Sequence, residues 1–218
     1  IWEDDTLNVV AIFGKYEDGA TSSDAGIDAY NRFVASMKTE LSRYTVTSLP
    51  ATVPSSPGVA VTDIEWNATL PDGKKIKVNA LLTDNVRTAL NTTAFRTKYE
   101  NLSTRADLIV YNGHAGLGAN VRALSRSGKW VAGQYLIMFE NGCDTYAYVD
   151  GSILTAHAAV NPDDPAGTKY VDIVTNAMPS YFSSMPNATM ALFRGLANHA
   201  APKTYEQIFA GVDRSQVV

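Results

Sequence analysis

In residues 107–143, DLIVYNGHAGLGANVRALSRSGKWVAGQYLIMFENGC, two apolar runs flank a segment that reads as a short helix. DLIVYN and YLIMFEN have the near-continuous apolar character of strands rather than the spacing of helices. The segment between them has a natural stop at Gly128 and is long enough to cross between parallel neighbours. The first run leads into His114. The second leads into Cys143, the only cysteine in the chain.

Outward from this unit the pattern continues. LNVVAIFG (Leu7–Gly14) is a nearly continuous β-branched run, typical of a strand covered on both faces. After the turn-rich loop KYEDGATSSDAG, Ile27, Tyr30, Phe33, Val34, Met37 and Leu41 recur at helical spacing, with Asp24 or Ser23 placed to cap the helix. YTVTSL reads as a strand, closed by the Pro-rich PATVPSSPG. Residues 58–84 read as a β-hairpin around PDG, an insertion or edge feature of a βαβ domain. AFRTKYENLSTRA reads as a helix. Beyond Cys143, TYAYVDGSILTAH reads as holding a short strand, NPDDPAG as a turn and KYVDIVTNAM as a strand. NATMALFRGLAN and TYEQIFAGV read as closing helices. This order predicts a single α/β domain over residues 1–218, with a mainly parallel central sheet plus the inserted hairpin.

A net charge of −4 without a Lys/Arg cluster argues against nucleic acid or an anionic membrane as partner. No apolar stretch approaches the roughly 20 residues that cross a bilayer. One cysteine leaves no disulfide framework and no Cys-rich zinc site. The start, IWEDDTLNVV, resembles neither a signal peptide nor an initiator-Met terminus, so a trimmed piece of a larger precursor is expected. Light charge and abundant Thr, Asn, Ser and Tyr lean towards a secreted or periplasmic protein. No cofactor is expected. Asp163 and Asp164, in PDDP, lack the spacing of an EF-hand calcium loop, and HAGLGAN is not a GxGxxG turn.

In open α/β sheets the functional crevice lies beyond the carboxyl ends of the strands, where both quoted runs deliver a reactive group. An imidazole beside a thiol gives the nucleophile a proton acceptor. The glycine-bearing turn HAGLG and the amide of Cys143 offer N–H groups to a developing oxyanion. Taken alone, each residue has an ordinary structural alternative: a lone cysteine is most often a small buried hydrophobe. His157 and His199 are read as structural or solvent-exposed.

An apolar strand running into NGHAG, then a second running into ENGC, resembles the caspase–gingipain–legumain–separase clan of cysteine peptidases, most closely its bacterial, gingipain-like members. The resemblance implies a caspase-like three-layer αβα fold, with His114 as general acid/base and Cys143 as nucleophile. It further implies an oxyanion hole formed by the amides of Ala115 or Gly116 and of Cys143. Two positions depart from the usual pattern: Ala115 stands between His114 and Gly116, and Gly142 precedes the cysteine. In such enzymes the loop after the first strand helps to form the substrate pocket, which makes Glu17 and Asp18 candidates suited to a Lys or Arg side chain. Glu140, Asn141 and Asp144 beside the cysteine, and Met178 and Tyr181 after the VDIVTNA strand, are further pocket candidates. A solvated turn or an ordinary core role is the competing reading for each. The expected function is thus a cysteine endopeptidase acting on a peptide or protein. The alternatives are an inactive relative that binds a peptide or protein, and an unrelated α/β domain in which the pair is coincidental.

Overall fold

The computed structural model describes residues 1–213, 216 and 218. Its strands are β1 (Thr6–Gly14), β2 (Thr45–Leu49), β3 (Asp63–Thr69), β4 (Lys75–Thr83), β5 (Leu108–Asn112), β6 (Leu136–Asn141) and β7 (Val171–Thr175). They form one sheet in the order β2-β3-β4-β1-β5-β6-β7. From β4 to β7 every pairing is parallel, and β3 alone runs against its neighbours. The helices are α1 (Ala25–Leu41), α2 (Val86–Leu90), α3 (Thr93–Ser103), α4 (Ala119–Ser127), α5 (Ser152–Val160), α6 (Met185–Ala197) and α7 (Tyr205–Phe209). No helix among the described residues is long and apolar enough to cross a membrane.

Strand alternation divides the core in two. Leu7, Val9, Ala11 and Phe13 of β1 pack with α1 and α6 on one face, while Val10 and Ile12 pack with α2, α3 and α4 on the other. The result is the three-layer αβα arrangement with a mainly parallel sheet that the apolar runs lead one to expect. Asp24 caps α1, its carboxylate accepting from the amides of Gly26 and Ile27 at 2.8 and 3.0 Å.

The hairpin at PDG forms as the antiparallel pair β3–β4 towards one edge of the sheet, and β4 lies against β1 over its whole length. One segment differs from the sequence reading. TYAYVDGSILTAH holds no strand. It makes a tight turn at Thr145–Tyr148 and then α5. Asp144, in the left-handed region at φ 49°, turns the chain out of the sheet, and the Asp150 carboxylate accepts from the Ser152 amide at the start of α5.

This topology contains a switch point. From β1 the chain crosses by α1 towards β2, whereas from β4 it passes by α2 and α3 over β1 to β5 and on through α4 and α5. Crossovers of one hand in opposite directions put α1 on one face and α2–α5 on the other. The carboxyl ends of β1 and β5 flank the point where the direction reverses, the usual position of a site in such sheets.

Candidate functional site

Asn112 and Asn141 pair across β5 and β6, so His114 and Cys143 each stand two residues past the same register point. The two turns leave the sheet in contact: the Gly113 amide donates to Asn141 O at 3.3 Å. A Cβ at residue 142 would lie 2.5 Å from Gly113 O and 3.4 Å from Ala115 N. Only glycine lets the cysteine turn approach the histidine turn this closely. That gives Gly142, one of the departures from the resembling pattern, a steric reason.

Beneath the turns lies a buried amide network that sequence reasoning missed. Asn141 Nδ2 donates to Asn112 Oδ1 at 2.8 Å, and Asn176 Nδ2 donates to Asn141 Oδ1 at 3.0 Å and to Gly142 O at 3.1 Å. Thr189 of α6 also donates to Asn112 Oδ1, at 2.9 Å. All three asparagines are fully buried, and they tie the ends of β5, β6 and β7 together. The available signal was the recurrence of asparagine at strand ends, in YNG, ENG and TNA.

His114 is held at both its ring and its main chain. Nε2 lies 3.0 Å from Tyr16 O. A carbonyl oxygen only accepts, so Nε2 carries a hydrogen, and in the neutral ring that tautomer leaves the lone pair on Nδ1. Tyr16 and Phe182 pack on the ring, with centroids at 5.0 and 5.1 Å. The Tyr16 segment is itself anchored, because the amides of Tyr16 and Glu17 donate to the Asp24 carboxylate at 3.0 and 2.8 Å. Burial raises the pKa of Asp24, but these amides and those of Ile27 and Gly26 outweigh it and hold the carboxyl below its usual range.

Cys143 is half-buried, and its thiol donates to Ser180 O at 3.3 Å. No hydrogen bond links thiol to imidazole among the described residues. The cysteine turn is pinned to the segment after β7 by Asp144 N to Met178 O at 3.3 Å and Tyr146 N to Asn176 O at 3.1 Å. Among the described residues, no acceptor takes the N–H of Ala115, Gly116 or Cys143. Ala115 is buried and needs no unusual backbone. The left-handed positions in this loop are Gly116, Leu117 and Gly118, at φ 60°, 50° and 83°.

The pocket candidates separate into two groups. Glu17 and Asp18 are exposed in the loop after β1. Asp144 is half-buried, and Met178 and Tyr181 are exposed on the segment that receives the thiol. These five lie on the rim. Glu140 and Asn141 do not line an open pocket, being 1% and 0% exposed. Asn141 belongs to the amide network. Glu140 alternates onto the opposite face of β6, where neither carboxyl oxygen has a partner and where its charge acts on Tyr99 and Tyr111.

Burial pushes the Glu140 carboxyl well above its ordinary value of 4.5. The folded state therefore holds this proton more tightly than the unfolded state does. Its contribution to stability is full below pH 4.5 and is lost as pH rises towards the folded-state value. Glu140→Gln, which cannot ionise, should have nearly wild-type stability at pH 4. Above that it should gain on the wild type by up to about 1.4 kcal/mol per pH unit until the buried carboxyl ionises. Thermal unfolding at pH 4 and pH 8 checks this, and an equal Tm difference at both pH values would contradict it.

The remaining candidates are accounted for locally. His157 lies in the last turn of α5, fully buried against Trp130 at 5.1 Å, and burial lowers its pKa. His199 pairs with Asp72 at 2.8 Å. Asp163 is held by Lys169 and Tyr170, and Asp164 accepts from the Lys169 amide. No group of three or more His, Cys, Asp or Glu among the described residues is placed to hold a metal ion.

No family model matches this chain, and no curated protein matches it closely enough to count as a relative.

Proposed function

We propose that this domain is a cysteine endopeptidase of caspase-like architecture, with Cys143 as nucleophile and His114 as general acid/base. The observation that carries the reading is the convergence, at the ends of adjacent strands, of a thiol, an oriented imidazole and main-chain N–H groups with no acceptor. Gly116 is exposed, but Ala115 is buried and Cys143 half-buried; amides without an acceptor in such surroundings are rare in proteins, and a substrate oxygen is the natural partner here.

The thiol first leaves the Ser180 carbonyl and gives its proton to Nδ1 of His114. The sulfur pair then attacks the scissile carbonyl carbon, and the C=O π pair moves to oxygen, opposite the amides of Ala115 or Gly116 and Cys143. As that pair returns, the C–N bond breaks, and His114 delivers its proton to the departing amine. Water, deprotonated by the same ring, repeats the sequence on the thioester and regenerates the thiol. The Tyr16 carbonyl steadies the imidazolium that forms between steps.

The rim supports a peptide substrate. Tyr16, Leu117, Tyr146, Met178 and Tyr181 are half of the exposed large apolar side chains among the described residues, and all lie on segments that leave the carboxyl ends of the strands. Apolar surface concentrated in this way marks a binding face. Glu17, Asp18 and Asp144 are acidic on that same rim, while Lys15 is paired with Asp84 at 2.5 Å. A Lys or Arg side chain before the cleaved bond suits this charge.

A peptidyl-lysine or peptidyl-arginine chloromethylketone should alkylate the protein once, on its only thiol, and prior treatment with iodoacetamide should block that adduct. A protein that stays unlabelled at neutral pH would sink the proposal. The thiol's present bond to Ser180 O favours one other reading, an inactive relative that binds peptides on the same rim. Saturable binding of the peptide without labelling would identify it.

A further inference from the structure

We infer that Tyr111 and Asn120 are positioning residues that aim the oxyanion-binding amide of Ala115. The inference deepens the peptidase reading and rests on it. The carbonyl of His114 receives two side-chain donors, Tyr111 OH at 2.9 Å and Asn120 Nδ2 at 2.8 Å, and Nδ2 also lies 3.2 Å from the tyrosine oxygen. Both donors are only 2% exposed.

This carbonyl and the Ala115 N–H belong to one peptide unit. The unit is trans and planar, so its oxygen and its N–H point in opposite directions. Pinning the oxygen to Tyr111 and Asn120, beside the α4 layer, therefore turns the N–H away from that layer. On its other side lies the cysteine turn, since Ala115 N would sit 3.4 Å from a Cβ on residue 142. The next carbonyl, that of Ala115, is held as well, by the amides of Gly118 at 3.0 Å and Asn120 at 3.3 Å. Every acceptor that sets the tilt of this loop is taken, while the N–H of Ala115 keeps none.

The loop accommodates the clamp by its composition. A Cβ on residue 116 would approach Asn120 Nδ2 to 3.1 Å, at a backbone φ of 60°. Gly116 thus lets the amide side chain pass directly under the turn. Asn120 sits in the first turn of α4, whose N-cap is Gly118, so a rigid element rather than a loop supplies the donor.

The test separates oxyanion stabilisation from thiol reactivity. Acyl transfer develops negative charge on oxygen, whereas alkylation by iodoacetamide is a displacement at carbon and makes no oxyanion. Tyr111→Phe, Asn120→Leu and Asn120→Asp, whose carboxylate accepts rather than donates, should each lower kcat on a fluorogenic Lys or Arg peptide by about 10–100-fold. KM should stay within about threefold, and the iodoacetamide rate at Cys143 within about twofold of wild type. Peptidyl-aldehyde affinity should weaken in proportion to kcat/KM, because the thiohemiacetal oxygen occupies the same hole. Tyr111→Phe keeps the ring and carries the test if Asn120→Leu does not fold. Unchanged kcat in the variants of an active wild type overturns this inference alone. So does a fall in alkylation that matches the fall in kcat, which would report collapse of the site. A wild type without Cys143-dependent cleavage overturns the peptidase reading and this inference with it.

Discussion

Cys143→Ala should abolish peptide cleavage, and His114→Ala should lower kcat by about 10²–10⁴-fold, the range that general acid–base catalysis supplies. In the proposed mechanism the two act on one proton and one bond. The double variant should therefore be no slower than Cys143→Ala alone, as expected for residues that work as a unit. Neither change removes a hydrogen bond from the asparagine network, since the His114 ring bonds only to Tyr16 O and the thiol only to Ser180 O among the described residues. Thermal stability should accordingly change by no more than about 1 kcal/mol, or roughly 2–4 °C in Tm. Activity lost together with stability would point to unfolding instead. Cleavage that survives in Cys143→Ala would assign the chemistry to other residues.

Gly142→Ala should lower kcat/KM by about 100-fold or more, although the residue offers no side chain to any substrate. The added methyl would stand 2.5 Å from Gly113 O and 3.3 Å from Thr145 Cγ2. The first contact is with main chain, which cannot swing aside as a flexible side chain would. The histidine and cysteine turns must therefore separate by several tenths of an ångström. Overpacking of this kind typically costs about 1–3 kcal/mol of stability, and a displacement near 1 Å at reacting groups costs about 100-fold in rate. Steady-state kinetics with chemical denaturation on the same sample checks both effects. A variant with wild-type kinetics would show that the two turns need no such contact.

Much of this was legible in the sequence because the central strands are covered on both faces. Continuous apolar runs therefore marked β1, β5 and β6 directly, and with them the places where His114 and Cys143 leave the sheet. Asp24 was legible as a helix cap by its type and position. Its second task, holding the amides of Tyr16 and Glu17, depends on a loop folding back and left no local trace. Tyr, Val and Ile in TYAYVDGSIL suggested a strand, but the left-handed turn at Asp144 and the contacts to Asn176 override that propensity. Glu140 was misassigned because adjacency to the cysteine in sequence says nothing about face. One step along a strand reverses the direction of the side chain, and Glu140 points into the α2–α5 layer. Asparagine at a strand end reads as a turn former, so a network of three became visible only once register brought them level.

The partner of the His114 ring is a main-chain oxygen, and this has an evolutionary consequence. No side-chain replacement at position 16 can delete that oxygen, whereas an orienting carboxylate would be lost by a single codon change. The Tyr16 ring packs on the imidazole and on Phe182 but is 53% exposed, so a replacement there would alter the surface beside His114 and leave the main-chain bond in place. Under the proposed peptidase reading, selectivity and alignment are thereby assigned to different atoms of one residue, so the first could change in descendants of this chain without loss of the second.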